Sequence, residues 1–143
     1  MDFNSISTEV RFVGVVVSKL QIENTIVDVE DDAKKSIGLN INEPVFQRVD
    51  NKCYSQMIID FTLELDQAER GKCKMELSLQ GVFESTSDAD EDAFKQKVAI
   101  NGAAAMIGIA RGKIEVLSAS VFNSGKIVIP FINVLEYYNS TKQ

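Results

Sequence analysis

The C-terminal third of the chain, from Asp88 to Tyr138, carries the pattern that most restricts the fold. Ile100, Ala103, Ile107, Ala110, Ile114, Leu117 and Val121 recur at alternating spacings of three and four, which places them on one face of a helix. Phe94, Val98, Ala105, Ile109 and Val116 form a second stripe beside the first. A helix that covers one sheet uses a single stripe, so the surplus must meet another subunit or a hydrophobic ligand. A central helix buried within one domain is the other way to occupy both stripes. The pattern predicts one helix from about Asp88 to Val121, roughly 50 Å long at 1.5 Å per residue. Ser87 or Asp88 is the expected cap, and Asp90, Glu91 and Asp92 suit the positive N-terminal end. Gly102, Gly108 and Gly112 weaken the helix locally and let another helix approach closely. Asn123-Ser124-Gly125 ends it, and Pro130 precedes a short amphipathic tail from Val134 to Tyr138.

The residues before this helix read as strands. The first, about Glu9 to Glu23, holds the β-branched run Val13-Gly-Val-Val-Val17 and becomes wet on one face toward its end. Asn24 to Pro44 is a connector, acidic at Asp28 to Asp32 and apolar at Ile37, Leu39 and Ile41, that is expected to cross over the sheet. A second strand is expected near Val45 to Asp50, with a turn at Asn51-Lys52. The third has the strictest alternation in the chain: Ser55, Met57, Ile59, Phe61, Leu63 and Leu65 point one way and their neighbours the other. The fourth runs from Lys72 to Phe83. Four strands followed by two helices, without βαβ alternation, predict an α+β fold: a four-stranded antiparallel sheet, one long helix and a short C-terminal helix, in one domain spanning residues 1–143.

Composition removes whole classes of chemistry. The chain has 143 residues, no histidine and a net charge of −6. Without histidine the commonest general base, the usual triad and most zinc sites are excluded. The acidic balance argues against a nucleic-acid partner, because counterion release needs a basic surface. Cys53 and Cys73 have neither metal nor disulfide spacing and are expected to stay reduced. Asp88-Ala-Asp-Glu-Asp92 fails as a calcium loop, since the sixth position is Ala93 and the twelfth Ala99. Glu23, Asp60, Glu64 and Glu76 are expected on one sheet face, where solvation is the plainer reading than acid–base work. Gly112-Lys113 lacks the rest of a phosphate loop. No catalytic residue, metal or cofactor is expected. The N-terminus has no basic region followed by an apolar run, and no apolar stretch has membrane-spanning length, so a cytoplasmic protein without a membrane partner is expected.

Three short motifs, in this order of elements, resemble the family of the protein-export chaperone SecB. Ala110-Arg111 is similar to the Ala-Arg segment of the family's main helix. Ile129-Pro130-Phe131-Ile132-Asn133-Val134 is similar to its Leu-Pro-Pro-Ile-Asn-Phe motif, and Gly81-Val82-Phe83 to the Gly-Ile-Phe that closes its fourth strand. The resemblance runs from about Val10 to Tyr138. It departs at Gly108, where the family has a proline, at Phe131, which replaces a second proline, and by one extra residue between Arg111 and Pro130.

The resemblance implies a chaperone without ATPase activity. Such proteins assemble as homotetramers, dimers of dimers with the long helices between dimers. They hold non-native polypeptides in apolar grooves and pass them to the SecA motor; some SecB-like members instead protect antitoxins of toxin–antitoxin systems. The implied client-binding residues are Ile41, Val45, Phe46, Val128 and Phe131, with Met106 adding an adaptable contact if it faces the groove. The expected oligomer interface is the first stripe, Ile100, Ala103, Ile107, Ala110, Ile114 and Leu117. For docking SecA, alignment keeps Glu23 and Glu76 but places Lys19 where the family has an aspartate and Lys74 where it has a leucine. Docking to SecA is therefore expected to be weak or absent, with unfolded preproteins or an antitoxin as clients. Two other readings stay open: a small-molecule site or enzyme on a sheet wrapped round a helix, and an inert assembly subunit.

Overall fold

The structure, a computed structural model, describes residues 9–86 and 90–141. Five strands form one antiparallel sheet: β1 (Val10–Asn24), β2 (Lys34–Ile41), β3 (Val45–Val49), β4 (Lys52–Asp66) and β5 (Lys72–Ser85). Across the sheet the order is β1-β5-β4-β2, and β3 shares β4's outer edge with β2. β2 pairs with positions 59–66 of β4, and β3 with positions 52–56.

The strand count corrects the expected four. β2 lies inside the segment read as a connector. Its Ile37, Leu39 and Ile41 do alternate, but two lysines and a glycine lower the strand signal below that of its neighbours. The crossover itself is real. β1 and β2 occupy opposite edges, and residues 25–33 reach from one to the other by rounding the end of the β4–β5 hairpin. There Thr25 N donates to Lys72 O at 2.9 Å. Buried Gln67 accepts from Glu30 N at 2.8 Å and donates to Asp28 O at 3.1 Å. The same crossover is tied to the end of the long helix, where Asn123 N donates to Val27 O and Val29 N to Ser124 O.

Period two puts most of the apolar residues of β4 and β5 on one face, with Ile58 and Val82 on the other. Met57, Ile59, Phe61 and Leu63 stand beside Met75, Leu77, Leu79 and Phe83, all buried. Helix α1 (Glu91–Lys97), a π turn (Val98–Gly102) and helix α2 (Ala103–Val121) run on as one rod across that face. The expected caps, Ser87 and Asp88, lie outside the described residues, and Asp90 begins the helix: its carbonyl accepts from Phe94 N at 2.9 Å.

The π turn resolves the two stripes. It adds one residue to a helical turn and so rotates the later part of the rod by about 100° relative to the earlier part. The buried face becomes Phe94 and Val98 before the turn, Gly102 at its end, and Ala103, Met106, Ile107, Ala110, Ile114 and Ser118 after it, with a five-residue step from Val98 to Ala103. The start of the second stripe is thus joined to the body of the first. Of the rest of the second, Ala105 and Val116 are exposed, while Ile109 is half-buried at the margin of the core. After α2 an extended link, residues 122–133, leads to helix α3 (Val134–Thr141).

Candidate functional site

The first surface is a groove between the helix and the edge strand. Val17 and Leu20, on the helix side of β1, meet Ile109, Val116 and Leu117 of α2. The groove is open, apolar and about 720 Å³ in volume. Gly108 and Gly112 flatten its helical wall, because nothing lies within 4 Å of where their Cβ atoms would be. Val17 is 41% exposed, Leu20 45% and Val116 69%, high for β-branched and leucine side chains on regular elements. β1 has no strand partner on its other side among the described residues. Of the residues expected at an interface, only Leu117 lines this groove. Ala103, Ile107, Ala110 and Ile114 are buried on this chain's own sheet, which leaves them almost no accessible surface, and Ile100 and Leu117 are half-buried. The π turn is the reason: it turns the first stripe onto the sheet and leaves Val116 exposed and Ile109 at the margin.

The second surface follows the link and the crossover. Ile127 and Ile129 point into the core, while Val128 between them is 46% exposed and Phe131 is 88% exposed. Beyond Ser124, where backbone bonds to the crossover end, side chains hold the link. Lys35 Nζ donates to Val128 O at 2.7 Å, Arg111 Nε to Ile129 O at 3.2 Å, and Ile127 N to the buried Ser118 Oγ at 2.7 Å. The Arg111 guanidinium stacks on the Phe131 ring, 4.1 Å from its centre. Val45 is 67% exposed. Phe46 is half-buried, edge-on to Phe94 with centroids 6.1 Å apart, and Lys95 Nζ stands 5.3 Å from its ring centre.

Two of the residues expected to contact a client are closed off. Met106 is fully buried, its sulfur 2.7 Å from where a Cβ on Gly81 would lie, so a side chain at 81 would displace the thioether from this position. Ile41 is buried and donates its amide to Tyr137 Oη at 2.9 Å. The rest do not form one pocket. Phe46 packs near Phe94 and Phe131 near Arg111, positions about 25 Å apart along a helix. An extended segment of roughly eight residues spans that distance.

The third surface is the solvent face of the sheet. Cross-strand rows Glu23–Lys74–Glu64, Gln21–Glu76–Thr62 and Lys19–Ser78–Asp60 place Glu23, Asp60, Glu64 and Glu76 on one face, interleaved with lysines. Lys19 Nζ reaches Glu76 at 2.9 Å and Lys74 Nζ at 3.7 Å. The Lys19 hydrogen bond, then its charge, hold the Glu76 carboxyl below the usual carboxylate range. Burial works against ionisation of Asp60, but donors at Ser78 (2.5 Å) and Asn42 (2.9 Å) outweigh it and lower its pKa. An acid whose lone pairs are occupied this way, beside lysine-neutralised neighbours, is a poor proton shuttle. Among the described residues no group of three or more acids and cysteines is arranged to hold a metal. No described helix is long and apolar enough to cross a membrane.

The fold has a counterpart among solved structures. It is similar to the SecB-like chaperone Rv1957 of Mycobacterium tuberculosis, solved in complex with a ChAD peptide from the antitoxin HigA1 (Rv1956). The TM-score is 0.61 with 8% sequence identity, and the match covers 88% of this chain and 92% of that one. The chain therefore has an α+β fold of SecB-like architecture. No protein-family model and no curated protein sequence matches it. Sequence reasoning missed the pairing of Val17 and Leu20 with the surplus helix stripe, because β1 reads as an ordinary mixed strand. It also missed Tyr137 and Tyr138, whose hydroxyl partners at Ile41 and Ala99 are far away in sequence.

Proposed function

We propose that this chain is a nucleotide-independent holdase, one SecB-like domain that binds non-native polypeptide in the cytoplasm without chemistry of its own. The observation that carries the reading is the link: Phe131 and Val128 stand exposed on a backbone anchored from beneath by Ile127 and Ile129. A solvated connector is expected to be polar, and apolar side chains held outward on a fixed extended backbone suit an unfolded chain that offers the same. The likeness in fold to a chaperone solved with a bound peptide supports it.

A dedicated client such as an antitoxin is favoured over the export route. The neighbour's peptide comes from an antitoxin. On this chain, Lys19 and Lys74 both approach Glu76, so a basic partner of the sheet face meets a locally neutralised field. For assembly we propose that a second copy covers the groove of Val17, Leu20, Ile109 and Val116, leading to a dimer and, with a further interface, a tetramer.

The test is suppression of aggregation of a chemically unfolded client at stoichiometric amounts without nucleotide. Full-length protein should hold light scattering near baseline, and Phe131→Ser with Val128→Ser should lose that effect while keeping thermal stability. No suppression by the unmodified protein overturns the reading. Loss of stability in parallel with loss of activity marks both residues as structural instead.

A further inference from the structure

Of the two expected client-binding residues that are buried, Ile41 is covered by α3. The backbone of β2 alternates between its two sides. Asn42 N, just past the strand, donates inward to Ile58 O on β4 at 3.0 Å. The amide of Ile41, one residue earlier, therefore points outward from the sheet edge. An outward amide at an edge is where an added strand begins. Here it donates to the hydroxyl of Tyr137 instead. The next residue acts on the other side: Tyr138 Oη donates to Ala99 O at 2.8 Å, within the π turn. The two rings stack edge-to-face with centroids 5.6 Å apart.

Little else fastens this helix. Among the described residues of α3 only Val134 is buried, and Leu135 beside it is exposed. A helix of eight residues has no stability of its own in water. An element held by one buried side chain, two half-buried tyrosine rings and their hydroxyls opens more readily than the core it rests on.

We propose that α3 is a displaceable strap that regulates the client surface. Closed, Tyr137 caps the edge amide of Ile41 and Tyr138 pins the π turn. Open, an extended non-native segment takes the place of α3, its backbone accepting the Ile41 amide and its apolar side chains covering the surface beneath Val134. The strap rests on the holdase reading, and it adds that only the open fraction of the protein binds at this edge, so apparent affinity scales with that fraction.

The experiment measures binding of a permanently unfolded, reduced and carboxymethylated protein, fluorescently labelled, to the full chain. Tyr137→Phe with Tyr138→Phe removes both hydroxyl contacts and keeps the rings; binding should tighten on the order of tenfold, since each such bond shifts an equilibrium by a few-fold. Val134→Ala should tighten it through a different contact. Amide exchange on the unmodified protein guards against variants that fold poorly. Amides of α3 should exchange at least on the order of tenfold faster than the inner amides of α2, and added client should speed α3 further while slowing Ile41. Equal binding by all forms, or α3 amides as protected as those of α2, overturns the strap. Absence of binding by every form overturns the holdase reading itself, and with it the occupant proposed here.

Discussion

Deleting Asn101 is predicted to be tolerated, and deleting Gly108 is not, although both residues are exposed and seven positions apart on the same rod. The difference comes from the step sizes of the buried face. Phe94, Val98, Ala103, Ile107, Ala110, Ile114 and Ser118 are separated by four, five, four, three, four and four. The second step departs from α-helical spacing, with buried Gly102 and Met106 sharing the face beside Ala103 and Ile107, and Asn101 lies within that step, in the π turn. Removing Asn101 makes the step four, so a regular α-helix keeps every buried residue in place. The expected loss is the Tyr138 hydroxyl contact at Ala99 and some local repacking of Gly102 on Phe83, about 1–2 kcal/mol in all. Removing Gly108 rotates everything after it by about 100° and sets Arg111 and Glu115 where Ala110 and Ile114 stood. Lost burial of Ile114 alone costs about 1.5–3 kcal/mol, and a charge brought inside costs several more. The sum is comparable with the whole stability of a domain, about 5–15 kcal/mol. Urea unfolding followed by circular dichroism, at two protein concentrations to separate assembly from folding, reads both variants. Equal destabilisation by the two deletions would falsify the π-turn account of the two stripes.

Val116→Asp should leave unfolding of the monomer nearly unchanged and lower the mass seen by light scattering, whereas Ile107→Asp should abolish folding; unchanged mass for Val116→Asp refutes the proposed second-copy surface. Gln67→Met keeps volume but strands Glu30 N–H and Asp28 C=O, and should cost about 2 kcal/mol in thermal or urea unfolding. Donors at Asn123 and Ser124 hold the Asp28 carboxyl below the usual carboxylate range. Its folded value is lower than its unfolded one, so its contribution is present above about pH 3.9 and is lost as pH falls through the folded value; Asp28→Asn should flatten that acid limb, and an identical profile would refute it. The zinc-bearing tail of SecA, titrated at low salt, should bind weakly to the unmodified protein and more tightly to Lys19→Asp with Lys74→Leu, while submicromolar binding by the unmodified protein would contradict the neutralised face.

The sheet is legible in the sequence where one face is buried and the other wet. β4 alternates without a break from Cys53 to Leu65, and its ends can be placed to within a few residues. β2 is not legible as a strand, because it sits at an edge: Ile37 and Leu39 are only half-buried, and lysines and Gly38 are tolerated beside solvent. The helix is legible as a helix, and so is the surplus of apolar residues on it. Which stripe is surplus is not. That depends on a single extra residue in one turn, and periodicity summed over thirty residues averages it away. Met106 illustrates the same limit in the site. Nothing in its neighbours along the chain says that Gly81, far away in sequence, makes the space that buries it.

The two exposed apolar surfaces differ in stiffness and extent, and so in the partner each can hold. Along α2, Gly108 and Gly112 strip the wall of side chains, and the flanking Ile109 and Val116 are β-branched, with few rotamers to lose on contact. A flat, stiff wall of this kind fits one shape well, which is what a fixed partner such as a second copy offers. Along the link, the exposed groups are a single ring under an arginine and scattered valines, spread over a length that only an extended chain covers. Few of these contacts depend on one another, so a chain of variable sequence can engage some and forgo others. The same physics explains why α3 suffices as a cap: where no single contact is strong, two half-buried tyrosines with their hydroxyls and one valine compete with an incoming segment, and displacement is set by how many apolar side chains that segment brings.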